Sequence, residues 1–164
     1  MSDNPLLPGE RRRPEMDPRQ RSINAALIEH HPRLGEWYRS ALIVLQDSSI
    51  PARHVFACHV AREISHKLDH YMGIETVTVQ GEPSSRPDDL PQFPHRLAAI
   101  LGTHPDYPLT RGWYRLHNQL TKFAHLRTPD KTDPSAYQMA AAFQEFEDLL
   151  YRVLRPRYDL FDTI

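Results

Sequence analysis

Proline punctuates this chain more than any other residue and sets what it can fold into. Of 15 prolines in 164 residues, Pro18, Pro32, Pro51, Pro108 and Pro134 each stand just ahead of a run in which apolar residues recur every three or four positions. Inside a helix proline removes a hydrogen bond, but in the first turn its missing N–H has no intrahelical partner to lose. Asp17-Pro18 therefore reads as an N-cap and first turn, opening a helix through Ile23, Ala26 and Leu27 to His30. Pro32 ends that run and starts the next, in which Leu34, Trp37, Tyr38, Ala41, Leu42 and Leu45 keep helical spacing to about Gln46. Ser48-Ser49-Ile50-Pro51 opens a third helix, capped after Met72 by Gly73, with Phe56, Val60, Ile64, Leu68 and Tyr71 read as its core face.

Beyond it, Ile74 to Val79 alternates like a short strand with no partner, and GEPSSRPDDLPQFP follows as a proline-rich loop. The segment 74–92 is thus read as one long loop, which in a small domain is either mobile or functional. A short helix is expected over His95 to Leu101. A strong one spans about Leu109 to Leu126, with Trp113, Leu116, Leu120 and Phe123 inward. After the turn-rich 128–134, the last helix runs from Asp133-Pro134 to Leu154 on a stripe of Met139, Phe143, Phe146, Leu150 and Val153, and Pro156 ends it. The expected fold is all-α: a single antiparallel bundle of four to five helices over 18–164. Residues 1–17, with Arg11 to Arg13 and little apolar content, read as a disordered tail.

Charge narrows the function classes. Lys and Arg number 20 against 21 Asp and Glu, a net charge of −1, so no global field draws the chain to nucleic acid or membrane, and any such contact needs a local patch. Cys58 is the single cysteine and forms no internal disulfide. The N-terminal MSDNPLLPGERRRPEMDP lacks the apolar run of a signal peptide, and no stretch reaches the length of a membrane span. The expected compartment is the cytoplasm, with no membrane association.

The ten histidines are the outlying feature. On the 51–72 helix, His59, Arg62, Glu63, His66, Asp69 and His70 share about a third of the circumference. Such a face could bind anions, relay protons or simply keep the helix solvated, with Glu63–Lys67 and Arg62–His66 as neighbours. His66 and His70 have the i, i+4 spacing of metal ligands, and His59, Glu63, His117 or His125 could join them. There is no His-Glu-x-x-His and no cysteine pair, so no metal and no other cofactor is expected. On the later helix, Asn118, Thr121, Lys122 and His125 lie away from Trp113 and Leu120. A histidine near a helix C-terminus is favourable on dipole grounds alone. That account leaves Asn118 and Lys122 unexplained.

Two segments carry a family resemblance: His59-Val-Ala-Arg-Glu-Ile-Ser-His-Lys-Leu-Asp69, and Trp113-Tyr-Arg-Leu-His-Asn-Gln-Leu-Thr-Lys-Phe-Ala-His125. Together they resemble helices of HEPN domains (higher eukaryotes and prokaryotes nucleotide-binding). The resemblance implies a helical bundle that usually homodimerises. In active members a groove at the dimer seam carries an Arg-x4-6-His motif that cleaves RNA without metal, histidine acting as general acid or base and arginine stabilising phosphate charge. Many members serve in prokaryotic defence or toxin–antitoxin systems beside a nucleotidyltransferase-like partner. His125 matches the histidine, while the arginine position falls at Asn118, Gln119 or Leu120. Asn118 can hydrogen-bond a phosphate oxygen but brings no charge, and Arg115 lies too far from His125 for the motif. Arg62 and Lys122 are the candidates to replace that cation in space.

The site expected on this basis has His125 and Asn118 in catalytic positions, with Arg62, His66, Lys122 and His59 binding RNA or a nucleotide. The activity implied is that of a weak or degenerate metal-independent ribonuclease. The alternative is a non-catalytic helical protein–protein interaction module, which needs only the amphipathic helices, the tail and the 74–92 loop. Metal-assisted hydrolysis by the histidine cluster is a third reading.

Overall fold

Asp17 decides where the ordered bundle begins. Its side chain accepts a hydrogen bond from the Gln20 backbone N–H at 2.7 Å, and the Gln20 side chain accepts from the Asp17 N–H at 3.1 Å, a reciprocal capping box ahead of Pro18. The computed structural model describes residues 13–71, 108–124 and 135–154. Helix α1 spans Pro18–His30, α2 Pro32–Gln46, α3 Arg53–Tyr71, α4 Pro108–Ala124 and α5 Ala136–Leu154. Helices make up 86% of the described residues and no strand occurs among them, so the domain is an all-α bundle. The strand-like 74–79, the 74–92 loop, the 95–101 helix, the 128–134 turn and most of the N-terminal tail lie outside the described residues. The end of that tail is described. Residues 13–17 have no regular secondary structure but are tied down, with the Glu15 N–H and carbonyl bonded to the Gln46 amide at 3.0 and 2.7 Å and Met16 packed on the core.

His31 makes the sharp junction between α1 and α2. Its backbone N–H donates to Leu27 O at 2.9 Å, closing α1, and its Nδ1 accepts from the Arg33 N–H at 3.1 Å, opening α2. One residue serves as cap to both helices, which leaves room for almost no loop. The reversal lays α2 back along α1, and Arg39 reaches Asn24 at 3.0 Å. At Gly35 the two are in close contact: a β-carbon there would collide with Ile28.

α3 is the central element, lying against α2, α4 and α5, while α1 closes the bundle between α2 and α5. The core gathers Leu27, Leu34, Tyr38, Ile64, Leu68, Trp113, Leu116, Leu120, Phe146 and Leu150, all essentially inaccessible to solvent. The stripes expected for α2, α4 and α5 face inward. On α3 the expected Ile64 and Leu68 face inward, but Phe56 does not. Ala57, Cys58, Ala61, Ile64 and Leu68 are buried, Val60 is half-buried, and Phe56 is 42% exposed. The physical reason lies in the neighbours. A helix flanked on three sides needs small residues where other helices cross closely, and Ala57, Cys58 and Ala61 supply them where a phenylalanine would hold the partners apart.

One charged group is part of the interior. Glu147 of α5, 3% exposed, accepts from Tyr38 Oη at 2.6 Å, Gln20 Nε2 at 3.0 Å and Arg19 Nη2 at 3.3 Å. Arg19 also pairs with Asp148. Three helices thus meet on one carboxylate, whose desolvation is offset by a full set of donors.

Candidate functional site

The polar faces of α3 and α4 meet along a single seam. The register follows from two contacts: Arg62 of α3 opposes Thr121 of α4, and His66 opposes His117 one turn further along α3 and one turn back along α4. The helices therefore run antiparallel, and any group in the seam has neighbours from both. Thr121 is held by its own helix, its hydroxyl donating to His117 O at 2.9 Å, so its oxygen is oriented to accept from Arg62 Nε at 3.3 Å. Arg62 Nη1 also pairs with Glu63 Oε1 at 2.8 Å. A guanidinium has five N–H donors. The side chain is thereby fixed in direction while keeping donors for an anionic ligand.

The imidazoles of His66 and His117 face one another with ring centroids 6.2 Å apart and planes inclined by 21°. His66 is exposed and His117 half-buried. Burial, and after it the nearby His66 and Arg62, lower the His117 pKa to about 4, against a smaller opposing influence of Glu63. At neutral pH His117 is therefore uncharged, with one ring nitrogen able to donate and the other to accept. The seam combines a fixed cation, a neutral imidazole and an exposed imidazole. That is chemistry suited to a phosphate-bearing ligand or to proton transfer beside one.

The sequence-derived site is brought together in part. Arg62 and His66 enter the seam; His59 lies exposed on the same face of α3; Asn118 is half-buried on α4 and Lys122 is exposed beside Thr121. His125 lies outside the described residues, as do the side chains of Asp69 and His70. His117 and Thr121, read from sequence as a spare metal donor and a face residue, turn out to be the α4 half of the seam. Their signal was spacing: four residues apart, they share the flank of α4 next to the face carrying Asn118.

No group of three or more His, Cys, Asp or Glu side chains among the described residues is arranged to hold a metal ion. Cys58 is buried, its thiol directed at Met139 O at 3.5 Å and its pKa pushed up to about 12 by burial, which leaves it a thiol rather than a nucleophilic thiolate. No helix among the described residues is long and apolar enough to cross a membrane.

No protein-family model matches the chain, and neither curated proteins nor solved structures give a match.

Proposed function

We propose that this chain is a HEPN-like helical protein that binds RNA or a nucleotide along the α3–α4 seam, with metal-independent ribonuclease activity if His125 completes the site. The observation that carries the reading is the placement of Arg62. Its guanidinium crosses from α3 to Thr121 of α4 beside the His66–His117 pair, so α3 brings a cation to the helix whose sequence motif lacks one. A homodimer, a nucleotidyltransferase-like partner, a cytoplasmic setting and a prokaryotic defence or toxin–antitoxin role belong to the same proposal and rest on the resemblance alone.

Two measurements test it. Binding of a labelled RNA should weaken about tenfold or more in Arg62→Ala, as for loss of a charged hydrogen-bond donor; equal affinity would remove Arg62 from the site. Cleavage of a mixed RNA pool should persist in EDTA and disappear in His125→Ala. Cleavage unchanged in that variant would exclude the ribonuclease assignment.

A second reading, a non-catalytic interaction module, is favoured by one feature. Phe56, Ile28 and Tyr137 are exposed, at 42%, 39% and 83%. Under that reading the wild-type chain retains no RNA at physiological salt, and Arg62→Ala changes nothing.

A further inference from the structure

The seam has an outer neighbour that joins Asn118 and Lys122, read as site residues from the sequence, to Arg111 and Arg115, which no motif or seam contact assigns. α4 contains Arg111, Arg115 and Lys122 and no acidic residue. At 3.6 residues per turn, Arg111, Arg115, Asn118 and Lys122 fall within about 60° of one another. Trp113, Leu116 and Leu120 occupy the opposite, buried side. Arg111, Arg115 and Lys122 are all exposed. The result is a straight cationic stripe roughly 16 Å long, at 1.5 Å of rise per residue. At about 3.4 Å per stacked nucleotide, that length spans roughly five.

Rings line one edge of this stripe. Tyr114 projects between Asn118 and Thr121 on the helical wheel, on the flank toward α3, and is half-buried. His117 follows on the same flank, with His66 facing it across the seam. A row of cations beside a row of flat side chains is the arrangement that holds a single strand. The cations track the phosphates and the rings take the bases, which are accessible only when unpaired. A duplex buries those π-faces in its own stack and would leave the rings unused. The chain's net charge of −1 gives no general attraction to polyanions, so this local stripe would have to supply the electrostatic footprint.

We propose that the outer stripe of α4 is a track for a single nucleic-acid strand, with phosphates on Arg111, Arg115 and Lys122 and bases turned against Tyr114 and the His66–His117 pair. This deepens the RNA reading of the seam and rests on it. Arg62 then holds a phosphate at the inner edge, and the stripe extends the contact outward.

The test is the salt dependence of binding, measured by fluorescence anisotropy on the full chain with a short oligouridine, the matching oligothymidine and a duplex of equal length. With Arg62 and three stripe cations engaged, affinity for a strand should fall about 50-fold between roughly 50 and 200 mM salt, from a slope of about −0.7 per neutralised phosphate. In the triple variant Arg111→Ala, Arg115→Ala, Lys122→Ala the same change should cost only about 3-fold. Tyr114→Leu, with helicity checked by circular dichroism, should weaken strand binding roughly 5- to 100-fold and leave the salt slope unchanged. Binding of RNA alone, or of RNA and DNA strands alike, with these slopes supports the track. A slope unaltered in the triple variant, or a duplex held as tightly as the strand, overturns it. If Arg62→Ala abolishes binding while the triple variant behaves as wild type, the track fails and the seam reading survives. No binding by the wild type at any salt removes both.

Discussion

Glu147 is the residue on which most of the interior polar chemistry converges. Burial and the adjacent carboxylate raise the Tyr38 phenol above its ordinary value, so Tyr38 stays a proton donor throughout the accessible pH range. Glu147→Ala should destabilise by about 3 kcal/mol or somewhat more, because it strands Tyr38 Oη and part of Arg19 in the interior. Tyr38→Phe should cost less, about 1.5–3 kcal/mol, since Gln20 and Arg19 still satisfy the carboxylate. Urea midpoints of the two variants check the ordering, and a larger loss in Tyr38→Phe would refute the account. Glu147 was half legible. It sits four residues after Phe143 and three before Leu150, a carboxylate in a core register, which is the signal that a partner must exist. The partners themselves were not legible, since Tyr38 and Gln20 stand 109 and 127 residues away in the chain.

His117 gives the residue scale its pH dependence. Its folded pKa of about 4 lies below the ordinary 6.5, so the unfolded chain binds its proton first. Stability from this group is constant above about pH 6.5 and falls between there and pH 4. By pH 5 the loss approaches 2 kcal/mol, reduced by solvent at the rim of the seam. Because a change of pH acts on more of the chain than His117, the quantity to measure is the difference between wild type and His117→Gln. That difference should change in favour of the variant as pH falls from 7 to 5. A pH-independent difference would mean that His117 is not desolvated.

Among the elements, helix starts were the most legible part of the fold. Pro18, Pro32 and the Asp17 cap act within a few residues, so local sequence contains the whole cause. The face of α3 was legible at Ile64 and Leu68 but not at its N-terminal end, where size was a poor guide: the large Phe56 points outward and the small Ala57 and Ala61 inward. Only the packing of three neighbours on α3 makes smallness an advantage. The same logic applies where α1 meets α2. Gly35→Ala removes a helix-interior glycine, a gain of up to about 1 kcal/mol. It also drives a methyl group into Ile28, an overpacking cost of about 1–3 kcal/mol. The sum should be destabilising, and Ile28→Ala in the same chain should recover part of the loss. If Gly35→Ala is stabilising by thermal melting, the two helices have slack at this crossing. Phe56→Ala, in contrast, should cost under about 1 kcal/mol, where a core phenylalanine would cost 3–5 kcal/mol.

At the scale of the molecule, the order of packing implies an order of opening. α3 is enclosed by α2, α4 and α5, whereas α1 rests on α2 and α5 and is tied to α5 through Arg19, Gln20 and Glu147. A peripheral helix that packs on two neighbours and is tied to one of them by a polar cluster should open below the global unfolding free energy, and a central one only with it. Amide hydrogen exchange should therefore be slowest in α3 and faster in α1. Glu147→Gln keeps the shape of the side chain but removes its charge, so it weakens the tie to Arg19 and leaves the core volume intact. It should speed exchange in α1 selectively, with α3 and α4 changed only by the drop in global stability. Equal acceleration in all the helices would show that the bundle opens as one unit and that the Glu147 cluster contributes to the whole rather than to the docking of α1. Selective opening would also separate the two halves functionally. The α3–α4 seam and its cationic stripe belong to the part that stays closed, so ligand affinity at the seam should be the same in Glu147→Gln as in wild type even where α1 exchanges freely.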